Sequence, residues 1–157
     1  MDDHSEAEQR IREHLLSSRV IAHIDMDCFF CQVEQLRLGV PADQPLAVLQ
    51  WNGLIAVNYA ARAKGVSRHD TAAEARAKCP EIRLVHVATY TPGGQAGYHE
   101  NPAPNAQKAE LNGYRQASKQ IMSVIEQFCD HTEKASIGKG RDDSVMTASS
   151  LSAWHRY

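Results

Sequence analysis

Apolar positions along the chain fall into short blocks divided by turn-forming residues, and their period changes from block to block. Val20-Ile-Ala-His-Ile24 is rich in β-branched residues and hardly alternates, which predicts a short strand buried on both faces. It runs into Asp25-Met26-Asp27, where Asp27 is placed to cap a helix beginning at Cys28 and continuing through Gln32, Val33 and Gln35. Leu46-Ala-Val-Leu-Gln50 and Leu54-Ile-Ala-Val57 predict two strands joined through Asn52-Gly53. A short helix over 58–64 follows and ends at Gly65. Thr71-Ala-Ala-Glu74 has the form of a capping box and opens a helix that Pro80 closes. Ile82 to Val87 predicts another strand, and Pro92 to Pro104 a turn-rich loop without a period. Leu111, Tyr114, Ser118, Ile121, Ile125 and Phe128 recur at steps of three and four, the clearest amphipathic helix in the chain. Glu133 to Ile137 predicts a strand. From Gly138 onward no period is present, and residues 1–18 form a polar, flexible or loosely helical leader. The order of strands and helices points to an α/β or α+β domain.

Composition narrows the class. A chain of 157 residues is one domain with tails, and a hydrophobic fraction of 43% is enough for a packed core. Seventeen basic and 19 acidic residues leave a net charge of −2, so any surface for nucleic acid must be local rather than global. No apolar run reaches the ~18 residues that a membrane-spanning helix needs, and the acidic start Met1-Asp-Asp-His-Ser-Glu6 lacks a secretory layout. The expectation is an intracellular protein with no membrane partner, whose Cys28, Cys31, Cys79 and Cys129 are reduced thiols.

Several residue groups could carry chemistry. Asp25 and Asp27, two apart, point the same way if both lie on a strand. A carboxylate at the end of a buried strand beside a helix start suits a hard cation, with the helix amides receiving phosphate. A strand end followed by a helix cap gives the same pattern. Phe29 and Phe30 read as core anchors. Tyr59 and Arg62, at i and i+3, can share a helix face, and with Lys64 and Arg68 they form a small basic cluster. Cys28-Phe-Phe-Cys31 is a C-x-x-C pattern after a strand, the spacing of a thiol oxidoreductase, but two phenylalanines fill the gap and buried thiols are the alternative. Cys79 stands alone and Cys129 with His131 makes only C-x-H, so no zinc set forms. Gly138-Lys-Gly140 lacks the spacing of a phosphate loop.

Taken together and in order, these blocks resemble the Y-family (UmuC-like) translesion DNA polymerases, eta type. Val20 to Glu34 is similar to the opening catalytic motif, Leu54 to Arg68 to the fingers motif, and Thr71 to Val87 to the eta-type continuation. Tyr114-Arg-Gln-Ala-Ser118 and Glu133-Lys-Ala-Ser-Ile137 resemble the helix and strand that lead to the second acidic motif, and the loop from Thr91 to Ala106 has the fungal style. The resemblance implies an α+β fold: an incomplete, ferredoxin-like palm sheet (19–30 and about 96–137) with an inserted fingers subdomain (about 31–95). It implies template-directed nucleotidyl transfer with two Mg²⁺ ions, primer–template DNA and a deoxynucleoside triphosphate as partners, nuclear localisation, and a sliding clamp only for a full-length form. By the same resemblance, Asp25 bridges the metals and Met26 offers its backbone carbonyl. Cys28, Phe29, Phe30, Tyr59, Arg62 and Arg68 surround the nucleotide. Phe30 is the steric gate against a ribose hydroxyl, Tyr59 and Arg62 grip the triphosphate, and Arg68 lies over the base pair. Where the family reads Ser-Ile-Asp-Glu, this chain reads Ser136-Ile-Gly-Lys139. The expectation is therefore an N-terminal portion that is inactive as written, with 138–157 a divergent tail in which Asp142 and Asp143 are not replacements. A non-catalytic nucleotide- or partner-binding product and a thiol oxidoreductase are the alternatives.

Overall fold

The computed structural model describes residues 3–17, 21–91, 93–99, 102–128, 131–134 and 146–149. Val20, Cys129, Ser136-Ile137, Gly138-Lys-Gly140, Asp142 and Asp143 lie outside them, as do the side chains of Leu15, Leu16 and His131. In chain order the elements are α1 (Asp3–Ser17), β1 (Ile21–Ile24), α2 (Phe29–Leu38), β2 (Leu46–Gln50), β3 (Gly53–Val57), α3 (Tyr59–Arg62) and α4 (Ala72–Lys78). They continue with β4 (Arg83–His86), β5 (Thr89–Tyr90), β6 (Ala96–Gly97), β7 (Lys108–Ala109), α5 (Asn112–Ile125), β8 (His131–Lys134) and β9 (Met146–Ser149). The class is α+β.

The best-covered layer is the sheet β3-β2-β4, in which β2 is central, antiparallel to β3 and parallel to β4. Successive side chains of a strand face opposite ways. Leu46 and Val48 accordingly join Phe29, Phe30 and Cys31 of α2, while Ala47 and Leu49 join Ala61, Val66, Ala75 and Cys79 around α3 and α4. Burial on both faces is why Leu46–Leu49 reads as an unbroken apolar run. Leu46, Ala47 and Val48 are wholly buried, each larger side chain contributing about 1.5–3 kcal/mol.

Local chemistry fixes the ends of the helices. Thr71 and Glu74 form the predicted capping box of α4, the Thr71 N–H donating to Glu74 Oε2 at 2.8 Å and the Glu74 N–H to Thr71 Oγ1 at 3.3 Å. Asn58 caps α3: its Oδ1 accepts from Ala61 N and from Leu46 N, both at 3.0 Å, and its Nδ2 donates to Gln44 O at 2.8 Å. One buried amide therefore ties the start of a helix to the central strand. Gly65, at φ 83°, then lets the chain double back so that the Val66 N–H reaches Ala61 O at 3.2 Å.

A second sheet has the order β1-β9-β8, antiparallel throughout, with Met146 opposite both Ile24 and Lys134. Its middle strand comes from the stretch in which the sequence pattern predicts no element. The predicted strand over 133–137 is observed as His131–Lys134. Ile24, expected to be buried, is 36% exposed. A third small sheet, β6-β5-β7, lies partly inside the expected turn-rich loop. Along α5 the inward positions are Tyr114, Ser118 and Met122. Ile121 and Ile125 are half-buried, and Val124 and Phe128 are exposed.

Candidate functional site: the cleft beside Asp25

The stretch from Asp25 to Phe30 turns the chain from a strand into a helix within four residues. Helix α2 begins at Phe29, one residue later than expected, and its N-cap is Cys28 in the left-handed region (φ 38°, ψ 44°) with no side-chain capping bond. A non-glycine residue there costs about 1–2 kcal/mol. The Cys28 carbonyl closes the first turn, accepting from Cys31 N at 2.8 Å and Gln32 N at 3.2 Å, while Gln32 Nε2 donates to Asp27 O at 2.6 Å. Asp27 does not cap the helix. Because Cys28 takes the left-handed turn, the Asp27 carboxylate is directed instead to the phenol of Tyr59. That hydrogen bond, with partial burial and the Asp27 charge, raises the Tyr59 pKa above the ordinary phenol value, against the opposing effect of Arg62.

Asp25, Met26, Asp27 and Cys28 line one side of an open cavity of about 380 Å³, and Arg62, Arg68 and His69 line the other. Two segments some forty residues apart thus bring two exposed carboxylates and two guanidinium groups to the same space. Arg62 is oriented by its own helix, since its Nε donates to Val57 O at 2.9 Å. Its Cζ lies 5.5 Å from the centre of the Tyr59 ring, as the i,i+3 spacing requires. Tyr59 lines the neighbouring cavity of about 620 Å³, which shares Asp27 and Cys28 with the first. The cleft is a place where an anion meets two arginines beside a carboxylate able to hold a cation.

Arg68 sits in a loop held by a residue that the sequence pattern passes over. Asp70 is buried; its Oδ2 accepts from Ser67 N at 2.8 Å, and both carboxylate oxygens accept from Lys78 Nζ at 2.7 and 2.8 Å. The Lys78 hydrogen bonds, followed by the Ser67 amide, lower the Asp70 pKa. A depressed carboxylate contributes stability above its unfolded-state pKa and loses it as pH falls through the folded value. Asp70→Asn should therefore flatten the acid side of the thermal-midpoint profile while lowering the midpoint at neutral pH. An unchanged profile would remove Asp70 as the holder of this loop.

Phe29 and Phe30 are about 5% exposed and lie outside the lining of the cleft. Phe30 stacks on Tyr114 with ring centres 4.1 Å apart and planes 22° from parallel. Tyr114 in turn donates its hydroxyl to Glu34 Oε1 at 2.6 Å, and Glu34, wholly buried, pairs with Arg37 at 2.6 Å. Burial, then the Glu34 hydrogen bond and charge, push the Tyr114 phenol far above its usual range. Glu34 was missed at the sequence level because a glutamate on a helix reads as solvated; its one clue is Val33-Glu34 lying one turn after Phe29-Phe30.

Among the described residues no three His, Cys, Asp or Glu side chains gather where they could hold a metal ion. Asp25 and the Met26 carbonyl could contribute two oxygens to one hard cation, but two closely spaced divalent ions need several carboxylates. The described donors do not fit a two-ion site. Cys28 and Cys31 are buried, so neither thiol is presented for disulfide exchange. Cys79 is also buried, and burial, reinforced by Glu81, raises its pKa. No described helix is long and apolar enough to cross a membrane.

Comparison with known proteins adds an independent line. A model of the impB/mucB/samB family matches residues 24–151, past Ile137. N-acetyltransferase eso1 of Schizosaccharomyces pombe is 53% identical over 120 residues, covering 76% of this chain and 14% of that protein. DNA polymerase eta of Saccharomyces cerevisiae is 40% identical over 129 residues, covering 74% and 20%, and that of Drosophila melanogaster is 42% identical over 135, covering 82% and 13%. The chain thus spans 13–20% of the length of these relatives. A solved Dbh ternary complex superposes with a TM-score of 0.60 at 23% identity, covering 83% of this chain and 30% of that one, a likeness of fold.

Proposed function

This chain belongs to the impB/mucB/samB family, and from that premise we propose that it is an N-terminal portion of an eta-type translesion DNA polymerase, carrying the incoming-nucleotide half of the active site. The observation that carries the reading is the single cleft bounded by Asp25 and Met26 on one side and Arg62 and Arg68 on the other. In this reading the triphosphate lies against Arg62, and the Tyr59 hydroxyl exchanges its hydrogen bond to Asp27 for one to phosphate. Arg68, in the loop held by Asp70, extends over the base. The resemblance makes Phe30 the gate beside the sugar; here it is packed on Tyr114 below the cleft lining, so it acts as a gate only if the bound sugar reaches its exposed edge.

Mg²⁺, when bound, would neutralise phosphate charge, with Asp25 and the Met26 carbonyl as its protein contacts. Primer–template DNA and nuclear localisation belong to the same reading. The relatives named DNA polymerase eta support it, whereas burial of Cys28 and Cys31 counts against the oxidoreductase alternative.

Nucleotide binding and primer extension by the purified chain test the proposal. A Mg²⁺–deoxynucleoside triphosphate should bind, and Arg62→Ala should weaken it about tenfold, the loss of one charge-assisted contact of about 1.5 kcal/mol. No primer extension is expected, because the described carboxylates of the cleft are only Asp25 and Asp27, too few for two closely spaced divalent ions. Extension abolished by Asp25→Ala would overturn that expectation, and no nucleotide binding at all would overturn the proposal.

A further inference from the structure

His86 is the last residue of β4 and lies opposite Leu49, near the end of the central strand. Both of its ring nitrogens are engaged. The Trp51 backbone N–H donates to Nε2 at 2.7 Å, and Nδ1 lies 2.7 Å from Val87 O. A peptide N–H can only donate, so Nε2 carries a lone pair, and Nδ1 bears the proton and donates it to the Val87 carbonyl. The bonding pattern admits one species of the ring, neutral and protonated at Nδ1. An imidazolium carries a proton on both nitrogens, and its Nε2–H would meet the Trp51 N–H donor against donor.

That bond lies where the backbone needs holding. Trp51 and Asn52 form the two-residue turn from β2 to β3, and Trp51 sits at φ 59°, a left-handed conformation that a bulky side chain rarely adopts. Its ring is tilted against the His86 ring, with centres 5.4 Å apart. On the far side of the turn, Asn52 O accepts from Ala72 N and Leu54 N donates to Asp70 O, both at 3.3 Å, and Gly53 bridges to Thr71. The turn is thus tied to the segment Asp70–Ala72, and the Asp70 carboxylate holds the Ser67 amide of the loop that carries Arg68. His86 stands at one end of a chain of hydrogen bonds whose other end is that loop.

Arg37 from the end of α2, Arg76 from α4, Arg83 from β4, and Tyr98 and His99 from the segment after β6 line a cavity of about 540 Å³ together with His86. Among the described residues no carboxylate lines it, and Glu34, which accepts from the Tyr98 hydroxyl at 3.4 Å, is paired with Arg37 at 2.6 Å. A charged ring finds no anion here to replace the lost bond. We propose that His86 is a pH-sensitive clasp: neutral, it holds the β2–β3 turn on β4, and on protonation it releases the turn and loosens the Asp70–Ala72 support of the Arg68 loop. Histidine is the side chain that changes charge between pH 5 and 8, so the device works near neutrality. The open form binds one proton more than the closed form, so the clasp is shut on the alkaline side and opens as pH falls. Asp70, whose pKa is lowered by Lys78, lets go only at more acid pH. No nucleotide takes part, and the clasp holds or fails apart from the cleft.

Nuclear magnetic resonance of the ¹⁵N-labelled chain provides the test. At pH 8 the His86 ring should show a protonated Nδ1 and an unprotonated Nε2. Between pH 8 and pH 5 the hydrogen-exchange protection of the Trp51 amide, with the intrinsic pH dependence divided out, should fall at least about tenfold, as uptake of one proton on opening allows. The Leu54 and Ala72 amides should lose protection over the same range, while the Asn58 amide, bonded to Leu46 O, keeps its own. His86→Gln, whose side-chain oxygen can accept from Trp51 without titrating, should stay protected at pH 5, and His99→Gln should leave the fall unchanged. A His86 ring protonated at Nε2 at pH 8 would overturn the proposal. So would constant Trp51 protection, an equal fall at Asn58, a fall that persists in folded His86→Gln, or one that vanishes in His99→Gln.

Discussion

Glu34→Ala is expected to lower the unfolding free energy by about 3 kcal/mol, near the low end for breaking a buried ion pair because Arg37 remains about a third exposed. The substitution leaves the Tyr114 hydroxyl without its acceptor inside the core and Arg37 without its carboxylate. It also empties the space between α2 and α5 that the Tyr114–Glu34 hydrogen bond bridges. Tyr114→Phe should cost less, because ring packing on Phe30 survives while a lone carboxylate keeps Arg37. Urea denaturation gives both numbers, and a loss below about 1 kcal/mol for Glu34→Ala would place the network outside the core's energetics. Tyr114 adds an alkaline signature. Its folded-state pKa is raised, so the stability it provides is complete below the unfolded phenol value near 10 and declines as pH rises beyond it. Tyr114→Phe should remove that part of the alkaline decline.

Phe30→Ala is the second large effect. Removing the ring should bring the affinity for a ribonucleoside triphosphate closer to that for its deoxy counterpart, shifting the ratio of dissociation constants by roughly 10- to 200-fold, the range of small steric differences in a pocket. The same change opens a cavity against Tyr114 and costs about 3–5 kcal/mol of stability. Phe30→Leu retains most of the apolar volume and separates the two effects. An unaltered ratio in a folded Phe30→Leu protein would remove the gate assignment, leaving Phe30 as a core residue.

The parts of this fold that were legible are those decided within a few residues of sequence. Thr71 and Glu74 announce a helix start because both bonds of the box lie within one turn. Leu46–Leu49 announces a doubly covered strand because both of its faces are apolar. Asn58, at the junction of a strand and a helix, fits the same logic. What escaped depends on partners far along the chain. Met146–Ser149 has little apolar content and becomes a strand by pairing with β1 and β8. Thr89–Tyr90 and Ala96–Gly97 are too short to express any period. Asp27 was read as a cap because Asp at a helix start usually is one, and the left-handed Cys28 changed its direction. Asp25, Met26, Arg62 and Arg68 could be nominated from their motifs, but the loop held by Asp70 and the buried Glu34 could be found only once their partners were in place.

The position of Met146–Ser149 between Ile21–Ile24 and His131–Lys134 has a consequence for the way the protein is made. A ribosome delivers the chain from its first residue, and β1 is synthesised more than a hundred residues before the strand that pairs with it. The β3-β2-β4 layer with α2, α3 and α4 lies within residues 29–86, and α5 completes its cover through Tyr114, so this unit can form on the nascent chain while Ile21–Ile24 still exposes its ladder of N–H and C=O groups. An unpaired edge of that kind is a template for wrong pairing between neighbouring chains. Slow translation over codons 89–146 should therefore increase aggregation in a cell-free reaction, and a holdase chaperone should suppress it.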